Sequence, residues 1–147
     1  MELRYSIKPD DKAVKAMGRD MNVSFKDMIM VAEAIRGKRL EKAIKTMEEV
    51  IALKKAIPYR RFNKGIGHRK GDQYKQGKFP KKAAKHTLAV LKNLEANAEY
   101  KGYDTSNVRI THCQAQMGVS RARRKPKGRW TPWETEYCHI QMVAKEK

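Results

Sequence analysis

Two extended arms around a basic tip, between Thr105 and Ala144, constrain what the rest of the chain can be. The first arm, Val108 to Met117, mixes β-branched and polar residues in rough alternation. The second, Glu136 to Ala144, alternates more clearly. Cys138, Ile140, Met142 and Ala144 share one face, and Tyr137, His139, Gln141 and Val143 the other. A period of two is a strand signal, and Pro126 and Gly128 mark a turn between the arms. From Thr105 to Trp133 there are seven Lys/Arg and no Asp or Glu. At about 3.3 Å per residue such arms reach on the order of 40 Å, further than a body of this size can cover. An isolated two-stranded ribbon is marginal in water, and the tip's charges repel one another. The tip is therefore expected to order fully only against a polyanion, through Arg121, Arg123, Arg124, Lys125, Lys127 and Arg129, with Trp130 and Trp133 beside them.

Charge extends this expectation. The 147 residues carry a net charge of +18, an excess that points to nucleic acid or an anionic surface and says nothing of fold. Residues 1–50 hold 11 basic and 9 acidic residues, whereas 51–147 hold 23 and 7. Nearly all the excess lies in the tip and in Lys54–Lys85, where 12 basic residues face only Asp72. Cations outside these blocks, such as Lys12, Lys26, Lys42 and Lys45, are expected to add little to binding. Two cysteines make no framework for a secreted fold. The first ten residues have no apolar central region, and the longest apolar run, Met28 to Ala32, is far too short to span a bilayer. A soluble, cytoplasmic protein without membrane insertion is the expectation.

Residues 1–13 read as a loose lead-in, and a short strand is expected near Met21–Val23. Ser24-Phe-Lys-Asp27 has the spacing of a helix start, a hydroxyl with a carboxylate three residues on. Phe25, Met28, Ile29, Ala32 and Ile35 follow at helical spacing, and Gly37 ends the run. A second helix is predicted from about Arg39 to Ala52, with a stripe of Leu40, Ala43, Ile44, Met47 and Ile51. A third is predicted from about Lys81 to Tyr100, with Pro80 suited to its first turn, Ala84, Leu88, Leu91, Leu94 and Ala98 buried, and Gly102 closing it. The sum is an α+β fold: three helices packed on a small antiparallel sheet, with a long extended β-hairpin. The chain reads as one domain, its body about 14–107 and 140–147, its hairpin about 108–144, with a basic loop at 58–80.

That loop, Pro58 to Pro80, carries four glycines and two prolines, which argue against a regular element. Seven Lys/Arg are interleaved with Tyr59, Phe62, Tyr74 and Phe79. This is the composition of a segment that follows a phosphate backbone while its aromatics pack on the body or on bases. Arg60, Arg61, Lys64, His68, Arg69, Lys70, Lys75 and Lys78 are candidate RNA contacts, together with Lys81 and Lys82 at the next helix start. Gly65-Ile-Gly67 is not a dinucleotide fingerprint, because a third glycine is misplaced.

Catalytic and metal readings find little purchase. His112-Cys113 and Cys138-His139 contain zinc-ligand types, but neighbours on a strand point to opposite faces, so four ligands do not converge. The cysteine midpoint falls at Lys125-Pro126, which places the two thiols roughly opposite across the ribbon as small hydrophobes. No Ser-His-Asp or paired-carboxylate set stands out. No enzyme activity, metal or cofactor is expected, and His68 and His86 read as RNA or solvent contacts.

Four stretches resemble one family. Ala34-Ile-Arg-Gly-Lys38 is similar to its first helix end, and Pro58-Tyr-Arg-Arg-Phe-Asn-Lys-Gly-Ile-Gly67 to an insertion that bacterial members lack. Asn97-Ala-Glu-Tyr-Lys-Gly102 is similar to its third helix end, and Lys127-Gly-Arg129 to its hairpin tip. Together they resemble the large-subunit ribosomal protein L-twenty-two family in its archaeal and eukaryotic form, over roughly Val14 to Ala144. Arg123 to Lys127 and Trp130 to Trp133 depart from it in detail. The resemblance implies a non-catalytic protein of the large ribosomal subunit that binds ribosomal RNA and bridges its segments during assembly. It implies a body near the exit of the nascent-chain tunnel, and a tip (Arg123, Arg124, Lys125, Pro126, Lys127, Gly128 and Arg129) that lines the tunnel. Partners would be that RNA, neighbouring large-subunit proteins and the nascent polypeptide, not a second copy of the chain. The residues alone leave two alternatives open. One is a free architectural protein using a basic β-ribbon arm on nucleic acid; the other is an RNA-modifying enzyme or nuclease.

Overall fold

The computed structural model describes residues 5–69, 76–128 and 130–146. The order is β1 (Val14–Met21), α1 (Phe25–Ile35), α2 (Leu40–Ile51), β2 (Ile57–Pro58), β3 (Gly77–Lys78), α3 (Lys81–Tyr100), β4 (Val108–Met117), β5 (Arg121–Arg124), β6 (Pro132–Thr135) and β7 (Cys138–Glu146). Three helices and an antiparallel sheet make the expected α+β fold. The main sheet runs β1-β7-β4, antiparallel throughout, with the second hairpin arm at its centre. α1 packs on β4, α3 on β1, and α2 on α3.

The helices follow their apolar stripes. α3 buries Ala83, Ala84, Thr87, Val90, Leu91, Leu94 and Ala98, and each large side chain fully buried there contributes roughly 1.5–3 kcal/mol. Gly102 closes α3 in a Schellman turn: its N–H donates to Glu99 O and the Tyr103 N–H to Ala98 O, at 2.9 and 3.0 Å. Pro80 stands one place earlier than expected, as the N-cap. In α2, Thr46 and Val50 take buried positions, while Ile44 and Ile51 are only partly covered.

The early strand is longer and earlier than expected, Val14–Met21 rather than Met21–Val23. It is defined by pairing along β7, from Val14 opposite Ala144 to Met21 opposite Cys138. The lead-in is tied down. The Ser6 N–H donates to Gln141 Oε1 at 2.9 Å and its hydroxyl to Gln114 Oε1 at 2.6 Å. Lys145 pairs with Asp10, and Tyr103 OH donates to Lys12 O at 2.8 Å. These partners lie more than 90 residues away, so spacing within residues 1–13 cannot announce them.

The cysteines are both buried but not opposite: Cys113 pairs with Met142, and Cys138 with Met117. The hairpin centre lies nearer Lys127–Gly128, where consecutive positive φ angles of 85° and 79° turn the chain. Burial pushes the Cys113 thiol up to about 12 and the Cys138 thiol up to about 11. Thiols held neutral are poor nucleophiles. An acid whose folded pKa is raised stabilises the fold below its unfolded pKa and loses that contribution as pH rises through the folded value. Stability is therefore expected to fall from about pH 8.5 towards pH 11 to 12. Replacing both cysteines with alanine, followed by denaturant melts across this range, is expected to flatten the alkaline decline.

α1 is fastened to the hairpin at both ends. The Arg36 guanidinium donates from Nε and Nη2 to Cys113 O at 3.1 and 2.6 Å. At the other end the Phe25 N–H donates to Glu136 Oε2 at 3.2 Å. Ser24 occupies the N-cap but makes no side-chain cap bond, because the hairpin supplies the carboxylate instead. Arg36→Met retains the aliphatic stem and removes the clamp. The expected cost is about 1 kcal/mol, since the bond is charge-assisted but partly exposed, read as a lower urea midpoint at unchanged slope.

Candidate nucleic-acid interface

Beyond the sheet, the hairpin continues as a second two-stranded ribbon, β5 against β6, from Arg121 opposite Thr135 to Arg124 opposite Pro132. The joint is at Gly118. Its N–H donates to Tyr137 O at 2.7 Å, and a Cβ there would stand 2.9 Å from the same oxygen. Any side chain would push the arms apart where the sheet hands over to the ribbon.

Every residue of β5 is exposed, as are Lys125, Pro126, Lys127 and Gly128. Arg121 stacks its guanidinium 5.7 Å from the Tyr137 ring, and Arg124 donates to Gly128 O at 3.2 Å. Trp130 is 71% exposed and Trp133 58%. Two indoles standing in water cost hydrophobic free energy unless something covers them. Cations and bare aromatic faces on one narrow ribbon are what a backbone and its bases can take up together. Arg129 lies outside the described residues.

The basic loop is closed at its base by β2 on β3 and further in by a bridge between His68 and Gln76. Its main anchor is Asp27. Tyr59, almost fully buried, donates its hydroxyl to Asp27 Oδ1 at 2.8 Å, and Lys78 Nζ sits 3.0 Å from the same oxygen. Burial and the neighbouring Asp27 charge hold the Tyr59 hydroxyl protonated well above its ordinary range. Asp27, which the sequence places in a capping box, thus serves as the loop's fastening. Arg60, Arg61, Lys64, His68 and Arg69 are exposed around it. Arg60 stands 3.8 Å from Glu33. Arg69 lies 5.3 Å from the Phe79 ring and donates to Gly77 O at 3.3 Å. Lys81 and Lys82 are exposed at the start of α3. Lys70 and Lys75 lie outside the described residues.

Lys26 belongs with this surface rather than with the passive cations of the first third. Its Nζ lies 5.8 Å from the Phe62 ring, and it lines a pocket of about 560 Å³ with Ser24, Asp27, Tyr59, Phe62, Asn63, Lys64, Ile66 and Lys78. The first turn of α1 is therefore a junction: Phe25 receives the hairpin through Glu136, while Lys26 and Asp27 receive the loop. Nothing in the local spacing signals this, because the partners come from 32 to 111 residues away.

His112 turns to Ser6, 2.9 Å from its hydroxyl, whereas His139 Nδ1 accepts from the Asp20 N–H at 2.9 Å. Among the described residues no group of three or more His, Cys, Asp or Glu is arranged to hold a metal, and no helix is long and apolar enough to cross a membrane.

A family model described as Ribosomal protein L22p/L17e matches residues 16–145. The large ribosomal subunit protein uL22 of Archaeoglobus fulgidus is 46% identical over 147 residues, covering 97% of this chain and 95% of its own. That of Methanocaldococcus jannaschii is 40% identical over 149 residues, covering 99% and 96%. That of Thermofilum pendens is 36% identical over 146 residues, covering 97% and 96%.

Proposed function

We propose that this chain, which belongs to the ribosomal protein L22p/L17e family, binds large-subunit ribosomal RNA through the basic loop and the hairpin, and that its tip lines the nascent-chain tunnel. The protein is a structural, non-enzymatic constituent of the large ribosomal subunit and works in the cytoplasm as part of the ribosome. Its partners are ribosomal; within that setting the RNA, neighbouring subunit proteins and the nascent polypeptide are the ones this reading names.

One observation carries the finer reading. The ribbon beyond Gly118 is cationic and aromatic, exposed on every residue of β5, and joined by an ordered handover to a sheet that is part of the core. A ribbon that served only as a loop would not need its indoles uncovered. In RNA the same ribbon gains phosphates for its arginines and bases for its tryptophans. Because loop and hairpin both fasten to the first turn of α1, RNA held by one fixes the other, which suits a protein that bridges distant RNA segments during assembly.

The test is sedimentation of the tagged protein with ribosomes of its own organism through high-salt gradients. Comigration with the large subunit is expected. Recovery with bulk DNA or free in the supernatant would instead favour an architectural protein using the ribbon on any nucleic acid.

A further inference from the structure

We infer that the pocket between α1 and the basic loop receives one unpaired RNA nucleotide, its base stacked on Phe62 and its phosphate met by Lys26 and Lys64. The inference rests on the ribosomal-RNA reading above and gives it an address. The pocket, about 560 Å³, falls within the range of small-molecule sites, and a single nucleotide fits it. Phe62 has φ 55°, a left-handed conformation that a bulky residue adopts only when its surroundings impose it. A ring anchoring the loop to the core would be buried; this one remains 37% exposed.

Two cations already attend the ring, Lys26 Nζ at 5.8 Å and Arg61 Cζ at 5.2 Å. Both stand on flexible stems. They can leave the ring, Lys26 for a phosphate oxygen, while a base takes the ring face, the stacking that single-strand binders use. The far wall sets the base's orientation. Asp27 Oδ1 is occupied by Tyr59 and Lys78, but among the described residues Oδ2 accepts only a 3.2 Å contact from Lys78, leaving acceptor capacity. A carboxylate repels phosphate and accepts from an exocyclic amine. The nucleotide therefore enters with its phosphate towards Lys26 and Lys64 and an amine-bearing edge towards Asp27, which favours adenine, guanine or cytosine over uracil.

The experiment compares large subunits carrying wild-type protein with subunits carrying Phe62→Leu or Phe62→Tyr. Reagents that modify the base-pairing edges of adenine, cytosine and guanine are applied to both. In Phe62→Leu subunits one amine-bearing base is expected to become several-fold more reactive, with Phe62→Tyr restoring protection. In the free protein, single-stranded pentaadenylate is expected to shift the NMR signals of Phe62 and Lys26 more than pentauridylate does, and to bind roughly 5- to 100-fold less tightly after Phe62→Leu. Unchanged reactivity of every base, at equal protein occupancy in the subunits, overturns the pocket and leaves the ribosomal reading intact. A wild-type protein that fails to enter subunits overturns the reading on which the pocket rests. Unchanged melting of the free Phe62→Leu protein separates either outcome from misfolding.

Discussion

Neutralising Arg60, Arg61, Lys64 and Arg69 to glutamine together is expected to weaken binding to large-subunit RNA by on the order of a hundredfold at physiological salt. The dependence of log affinity on log salt should flatten by about three, since each lost phosphate contact removes about 0.7 to 0.9. The fold should tolerate the change. All four side chains are exposed, and the Arg60–Glu33 pair, 3.8 Å apart with both partners exposed, contributes little to stability. The loop's fastening through Tyr59, Asp27 and Lys78 is untouched. Lys12, Lys42, Lys45 and Lys92, also exposed, provide the matched control, and their neutralisation should change neither affinity nor slope appreciably. Filter binding to RNA fragments at several salt concentrations reads both quantities. Equal losses from the two sets would mean that net charge alone, not its placement, governs binding.

Deleting Arg121 to Arg129 and closing the arms with a short turn should separate fold from function. The buried side chains come from β1, β4, β7, the three helices, and Val23, Ile57 and Tyr59 beside them, none of which the deletion removes. The ribbon contributes no buried residue, so the melting temperature should hardly move, and the loss of six clustered cations relieves repulsion. The shortened protein should still enter large subunits through its loop. What should change, by several-fold in pause duration, is the behaviour of nascent chains that stall in the tunnel, measured by in vitro translation of stalling peptides on subunits carrying the deletion. Unchanged pausing across several peptides would reduce the tip to an assembly anchor. An unfolded variant would show that the ribbon is part of the core after all.

Much of this architecture is legible in the residues because local physics dictates it. Stripes at helical spacing, Gly37 and Gly102 place the helices within a residue or two of their bounds. Alternation in the second arm identifies the faces of β7. β1 escapes because Gly18, Arg19 and Asp20 break its alternation, and only pairing with β7 makes it a strand. The cysteine register escapes for a related reason. A shift between Ile110 and His112 and the handover at Gly118 displace residues that simple counting from a turn would align. The candidate cations are legible as a class, since no core of this size can bury them. Their supports are not: Asp27, Glu136 and Arg36 gain their roles from partners 32, 111 and 77 residues away. Lys26 reads as an ordinary helix cation until the loop folds over it.

The central claim is that the ribbon is a probe held out from the sheet to be clothed by RNA, its tip reaching the path of the nascent chain. A cryo-microscopy map of large subunits from the source organism tests it most directly. The account predicts continuous density for residues 118–136 packed on ribosomal RNA, with Trp130 and Trp133 covered and Arg123 to Gly128 at the tunnel wall. A body bound to the subunit with its ribbon projecting into solvent, or a tip ending short of the tunnel, would contradict it.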